Sequence, residues 1–334
     1  MKSSDLPIPY GWYAVEYTNE LAVGEVKPLY FFGRDLVIYR SESGKAVLLD
    51  AFCPHLGAHL GHGGEVHGES IACPFHGWEF NGEGMCTKVP YAKNVPAKVK
   101  DAPCIDGYHV QEVNRVIWAW YHPDNVAPLF DVDVLPQMNE AGWTDCHRFE
   151  WEINTCVQET GENGVDIAHF LYVHSSVAMP EAEVELSGHH RITTMHSRTP
   201  RIDENGVLDQ SGELEDSRLV TTSCGPGMTY QSFERSFTSF MMGTITPIER
   251  GKVLMRWTFA QPEDQTDVQK LYSDGMIAEI ARQVGQDIPI WEHKIYQPNP
   301  ILCDGDGPIA KYRKWFNQFY AGEFDGGTPI RLVQ

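Results

Sequence analysis

Basic residues are scarce: 26 Lys and Arg face 46 Asp and Glu, leaving a formal net charge of -20 over 334 residues. Such a surface repels phosphate backbones and anionic lipid heads, which argues against a nucleic-acid or membrane-surface protein. Long apolar runs are also missing. The best of them, such as Val116 to Tyr121, fall far short of the ~20 residues needed to cross a bilayer. Met1-Lys2-Ser3-Ser4-Asp5-Leu6-Pro7 holds no apolar signal core, so a cytoplasmic location is expected. No internal repeat or low-complexity tract is visible. The 8 cysteines are few and scattered in a chain too large to need stapling. A close Cys/His cluster in such a chain more readily binds metal than forms disulfides.

What is present suffices for a packed core: 42% hydrophobic and 11% aromatic residues. The length suggests two domains or one large one. From Trp12 to about His122 the chain reads as short strands and turns. Leu29 to Phe32 and Asp35 to Tyr39 flank a Gly33-Arg34 bend, and Ser43-Gly44-Lys45 precedes Ala46 to Leu49. Residues 123–142 are rich in Pro, Asn and Asp and read as a connection. Beyond them Phe149 to Val157, Arg218 to Ser223, Met228 to Thr246 and Lys252 to Ala260 are strand-like, and together predict one antiparallel sheet. A helix is predicted from Asp267 to about Gln286, and another from Pro308 through Tyr312, Trp315 and Phe319.

Two constellations carry chemistry. Cys53-Pro54-His55 and Cys73-Pro74-Phe75-His76-Gly77-Trp78 offer two thiolates and two imidazoles from two matched, Pro- and Gly-punctuated loops. Structural zinc also takes Cys2His2 sets. One Cys and one His per loop better suits a two-iron cluster, with both thiolates on one iron and both imidazoles on the other. Cys146 adjoins His147 without a second pair, and His59, His62 and His67 are given no role. In the second constellation His169 and His174 lie five residues apart. A regular helix would point them apart, so they meet one metal only where the helix ends or distorts. Two His and a carboxylate with open positions make a non-haem Fe(II) site. The carboxylate expected is Asp287, which continues the apolar stripe Ile280, Val284, Trp291. A helix broken near Gly285 and Pro289 would instead leave it solvated, with Glu292 the next acidic residue.

The first pattern resembles a Rieske [2Fe–2S] centre, and Asn163-x-x-Asp166-x-x-His169-x4-His174 is similar to the iron motif of Rieske non-haem iron oxygenases. The tail Ile290-Trp291-Glu292-His293-Lys294…Asp306-Gly307-Pro308-Ile309 and Cys86 to Ala92 resemble the oxygenase component of 3-ketosteroid 9α-hydroxylases, and cholesterol 7-desaturases share these pieces. The resemblance covers nearly the whole chain; residues 175–199 depart from it. It implies an α+β protein: an all-β Rieske domain over residues 1–125, then a helix-grip-like catalytic domain over residues 126–334 with an antiparallel sheet and C-terminal helices.

It further implies Cys53, His55, Cys73 and His76 as cluster ligands and His169, His174 and Asp287 as ligands of a mononuclear Fe(II). Asp166 becomes the bridge to a cluster histidine across a subunit boundary, and Asn163 lies near the iron. The expected assembly is a homotrimer. Ala58 and Phe75 stand where respiratory Rieske proteins carry two further cysteines, and Trp78 and Phe80 where those place hydroxyls. A potential near the low end, about -150 mV, is therefore expected. The implied reaction is O2-dependent hydroxylation of an apolar, steroid-like substrate. Sterol 7-desaturation, aromatic-ring hydroxylation and plain Rieske electron transfer are the alternatives. Neither Gly61-His62-Gly63-Gly64 nor Gly82-Glu83-Gly84 has the strand–turn–helix context of a dinucleotide site. Electrons from NAD(P)H must thus come through a separate flavin/iron–sulfur reductase or ferredoxin. Lys88, Lys93, Lys98 and Lys100 form either a solvated face or a docking patch for it.

Overall fold

The computed structural model describes Lys2 and residues 5–95, 97–144, 147–200, 213–234 and 238–322. They divide into two compact units, Trp12–Val134 and Met1–Gly11 with Leu135–Gln334. Cys146 lies outside the described residues, as does the Lys100 side chain. Among the described residues no helix is long and apolar enough to cross a membrane.

The first unit contains strands β1 (Gly11–Tyr17), β2 (Val26–Phe31), β3 (Arg34–Arg40), β4 (Ala46–Asp50), β5 (Glu65–His67), β6 (Ser70–Ala72), β7 (Glu79–Phe80), β8 (Cys86–Lys88), β9 (Val110–Val113) and β10 (Val116–Tyr121). A short helix, α1 (Ala97–Lys100), follows β8. The strands form three small sheets, β1-β10-β9, β2-β3-β4 and β5-β6-β7-β8. The bend between β2 and β3 falls one residue earlier than expected, at Phe32-Gly33. Both residues take positive φ, 59° and 72°, so that the turn matches the twist of its flanking strands. Alternate residues of β3 and β4, Val37, Tyr39, Val47 and Leu49, pack with Ile71 and Phe80 directly against Cys53 and Cys73. Residues 123–134 stay with this unit. The Trp12 indole donates to the Phe130 carbonyl at 2.6 Å, the Trp120 indole to Val126 at 2.8 Å, and the Asn114 amide to Asp133 at 2.8 Å.

The second unit is built on β11 (His147–Ile153), β12 (Glu181–Ser187), β13 (His190–Pro200), β14 (Leu214–Cys224), β15 (Met228–Glu234), β16 (Thr238–Glu249) and β17 (Lys252–Ala260). They form a 7-stranded sheet in the order β11-β17-β16-β15-β14-β13-β12, with antiparallel neighbours throughout. Two expectations change. The first strand stops at Ile153, and Val157 instead opens helix α3 (Val157–Asn163). Between β15 and β16, residues 235–237 lie outside the described residues. β12 and β13 extend the sheet through a region not anticipated as strands. The helices also include α2 (Pro136–Asn139), α4 (Ala168–Tyr172), α5 (Asp267–His293) and α6 (Ile309–Phe316), the last continued by a 3-10 turn at Asn317–Phe319.

Helix α5 begins at a Thr266/Gln269 capping box and runs past Gln286 and through Pro289 to His293. Its buried face is Ser273, Ile277, Val284, Asp287 and Trp291, while Val268 and Leu271 in its first turns stay exposed. Helix α3 is held to α6 by polar groups. The Tyr312 hydroxyl donates to the Gln158 carbonyl at 2.9 Å, and Arg313 makes a two-pronged bond to Glu162 at 2.5 and 2.8 Å. Both members of that ion pair are buried, so removing one strands the other without compensation. Glu162→Ala and Arg313→Met should each destabilise the protein by about 3–5 kcal/mol, read as a lowered denaturant midpoint. A loss below about 1 kcal/mol would show that the pair does not anchor α3.

Candidate functional site

Each unit gathers one of the two side-chain groups expected from the sequence to bind metal. In the first unit the loops after β4 and β6 close in the same way. The Cys53 amide donates to Ala58 at 2.9 Å and the Gly57 amide to Cys53 at 2.9 Å. The Cys73 amide donates to Trp78 at 2.8 Å and the Gly77 amide to Cys73 at 2.9 Å. Gly57 and Gly77 sit at φ +78° and +69°, which is what this reversal requires of the residue before its end. Each loop thus presents a buried thiol at its base and an imidazole at its tip.

The His55 and His76 ring centroids lie 4.8 Å apart. Trp78 stacks flat on His55 at 4.7 Å, and its indole donates to the Tyr91 hydroxyl at 2.9 Å, which holds that ring in place. Burial pushes the Cys53 thiol up to about 12, with a bond from the His55 backbone opposing and the Cys73 thiol adding to the shift. A thiol this reluctant to ionise becomes a thiolate on a metal. His76 Nδ1 is buried without a hydrogen-bond partner, a position suited to a metal.

Among the described residues no three ligand atoms of Cys53, His55, Cys73 and His76 lie within 4.8 Å of one another. One tetrahedral zinc would draw all four within ~4 Å. The spread fits two metals better than one. His59, His62 and His67 are engaged elsewhere: His59 meets Phe52 edge-on and His62 at a tilt, and His67 bonds Glu79 at 2.9 Å.

In the second unit helix α4 ends at Tyr172, Val173 caps it, and Ser175 turns at φ +57°. His174 therefore leaves the helical path and swings back toward His169, their centroids 5.0 Å apart. Asp287 arrives from α5. Ligand atoms of His169, His174 and Asp287 lie within 4.8 Å of one another, and Asp287 is 5% exposed. Glu292 points away and accepts from Asn154 instead.

Hydrogen-bond partners assign the tautomers. His169 Nδ1 lies 2.5 Å from the Asp166 carbonyl and must donate to it; His174 Nδ1 donates to Gln286 Oε1 at 3.0 Å. Both Nε2 lone pairs consequently face inward. His174 Nε2 then stands 3.3 Å from Asp287 Oδ1, and a cation between them would be held by both. Asn163 Nδ2 donates to Asp287 Oδ2 at 3.0 Å and to His169 Nε2 at 3.3 Å. Burial pulls His169 below the ordinary imidazole range, opposed by Asp287 and Asp166, which favours the neutral ligand form. Burial raises Asp287, opposed by the two imidazoles and Asn163. Gln286 escapes sequence reasoning because a glutamine beside an acidic residue has no distinctive spacing.

The three groups line a cavity of about 270 Å³ between the inner sheet face and α5. Its walls include Phe170, Phe233, Met241, Met255, Trp257 and Trp291. It is apolar and sized for a small organic molecule. Asp287→Ala should abolish binding of a ferrous ion at this centre. Gln286→Leu should weaken it about 10- to 100-fold, since the partner orienting a ligating imidazole commonly has that weight. Anaerobic metal titration measures both, and unchanged affinity in the Gln286 variant would deny it that role.

Residues 119–320 match the 3-ketosteroid 9α-hydroxylase C-terminal domain and residues 11–103 the Rieske [2Fe-2S] domain. A cholesterol 7-desaturase of Drosophila melanogaster is 33% identical over 96% of this chain and 77% of its own length. The oxygenase component of a 3-ketosteroid-9-alpha-monooxygenase from Rhodococcus rhodochrous is 30% identical over 96% and 85%. Dicamba monooxygenase bound to dicamba shares the fold at TM-score 0.70 and 17% identity, over 92% of this chain and 96% of that one.

Proposed function

Because the chain belongs to the Rieske non-haem iron oxygenases, in the branch of 3-ketosteroid 9α-hydroxylase oxygenase components and cholesterol 7-desaturases, we propose that it is the terminal oxygenase of a monooxygenase acting on an apolar polycyclic substrate, most directly a steroid. The observation that carries this reading is the buried meeting of two imidazoles and one carboxylate at the wall of an apolar cavity. The first unit is the cluster domain, with Cys53 and Cys73 for one iron and His55 and His76 for the other. The second is the catalytic domain, with His169, His174 and Asp287 for the mononuclear iron. When bound, the cluster supplies single electrons drawn from NAD(P)H through a separate flavin/iron–sulfur reductase or ferredoxin, and the ferrous ion supplies O2 activation for attack on a C–H bond.

The chain's own residues set the conditions. The Asp166 carbonyl and Gln286 hold both imidazoles with Nε2 inward, Asn163 steadies the carboxylate, and the apolar walls exclude water and hold the substrate. The desaturase relatives support a second outcome at the same site. Product mass distinguishes them: gain of one oxygen marks hydroxylation, loss of two hydrogens desaturation.

The reading extends to a homotrimer in a cytoplasmic setting. The Asp166 side chain is 36% exposed and its Oδ1 accepts from the His169 amide at 3.3 Å, with Tyr172 nearby 81% exposed. Leu56 and Phe75 at the cluster loops are also exposed. Uncovered apolar residues of this kind mark contact surfaces, and a head-to-tail ring closes such heterologous contacts. Asp166 would then bond a cluster histidine of the neighbouring subunit. Lys88 is already paired with Glu79 at 2.8 Å, which leaves exposed Lys93 and Lys98 for reductase docking.

Anaerobically purified protein should contain about three irons and about two acid-labile sulfides per chain; stoichiometric zinc without sulfide would overturn the oxygenase reading. Asp166→Asn should keep that metal content yet nearly stop product formation, with slow reoxidation of the reduced protein on rapid mixing with O2 and substrate. Wild-type reoxidation rates in this variant would remove Asp166 from the electron path.

A further inference from the structure

One cation of the cavity has no anion. Arg191 begins the inner face of β13 and is 2% exposed. Its Nη1 donates to the Gly161 carbonyl at 3.0 Å and its Nη2 to the Ser223 hydroxyl at 2.9 Å, while Nε is buried without a partner. The guanidinium lies over the Tyr312 and Trp315 rings, 5.0 and 5.9 Å from their centroids. Among the described residues no carboxylate comes within 4.0 Å of it. The same helical layer shows the usual solution in Arg313, whose fork is filled by Glu162.

Buried charges are normally paired. The ring faces and the carbonyl end of α3 offset part of the cost, yet three of five N–H donors find no acceptor. Two residues along the strand, on the same face, the Thr193 hydroxyl is buried and also without a partner. Arg191 lines the same cavity as His169, His174 and Asp287. At Gly164 a Cβ would stand 3.4 Å from Nη2 and 3.8 Å from Nη1, so the glycine leaves the space beside the guanidinium unfilled.

We propose that Arg191 is the anion receptor of this cavity and that the substrate carries a carboxylate on its apolar skeleton. The proposal deepens the oxygenase reading and rests on it. A planar carboxylate fits the guanidinium fork through two parallel hydrogen bonds. A neutral ketone or hydroxyl would accept a hydrogen bond and leave the buried charge uncompensated. The substrate would thereby be pinned at one end, its ring system extending along the apolar wall.

The test is equilibrium binding to the metal-loaded full chain without reductase, followed by quenching of tryptophan fluorescence, since Trp257 and Trp291 line the cavity. The probes are 3-oxoandrost-4-ene-17β-carboxylate and 2-naphthoate, each beside its methyl ester. With at least one skeleton the acid should bind about tenfold or more tighter than its ester, and Arg191→Gln should erase that preference. Arg191→Lys, which keeps the charge without the fork, should retain a reduced preference, and it carries the comparison if the glutamine variant fails to fold. Equal binding of acid and ester, no binding of either acid, or an unchanged ratio in the available variant overturns the proposal and assigns Arg191 to holding α3. Iron and sulfide content and NAD(P)H-supported O2 uptake report separately on the oxygenase reading, so the two can fail independently.

Discussion

Burial of Asp287 is the constraint around which the catalytic unit is arranged. An isolated carboxylate at 5% exposure on the apolar face of a long helix is unfavourable by several kcal/mol. The fold answers with an Asn163 amide and two imidazoles whose donor nitrogens are turned outward, toward the Asp166 carbonyl and Gln286. That arrangement leaves two imidazole Nε2 atoms and a carboxylate facing one point. It is poor as a hydrogen-bond network and good as a ligand set for a divalent cation, which explains why an apolar cavity tolerates it.

The elements that carry these groups are held by separate interactions. Helix α3, which brings Asn163, is clamped by the Arg313–Glu162 pair and by the Tyr312 bond to Gln158. α5 keeps its path through Pro289 because its buried stripe, from Ile277 to Trp291, packs against the sheet side of the cavity. In the other unit the two Cys/His loops are closed by the same pair of backbone bonds, and both thiols sit buried at the loop bases. Rigid positioning of this kind is what one-electron and oxygen chemistry asks of a protein.

Much of the centre was legible because its chemistry demands rare residue types at fixed spacing. The paired Cys-x-His and Cys-x-x-His loops leave few alternatives. His169 and His174 were ambiguous by spacing alone, and only the end of α4 at Tyr172 resolves how a five-residue step can converge. Asp287 was readable as a carboxylate on an apolar stripe. The strands β12 and β13 went unread, although Glu181 to Ser187 alternates charged and apolar residues at the sheet edge and pairs with β13 across the short Gly188-His189 connection. Gln286 and Arg191 gave no signal, since a lone polar residue acquires its role from what surrounds it.

The amino-acid sequence by itself determined the candidate ligand inventory, the two-part organisation and the antiparallel character of the second part, because these depend on residue type, local periodicity and turn chemistry. The tertiary structure alone decided which imidazole nitrogen faces inward, that α5 runs unbroken past Pro289, and that Arg191 is buried beside the cavity without an anion among the described residues. Each of those depends on desolvation and on contacts between residues far apart in the chain, and such terms have no value until the chain has folded around them.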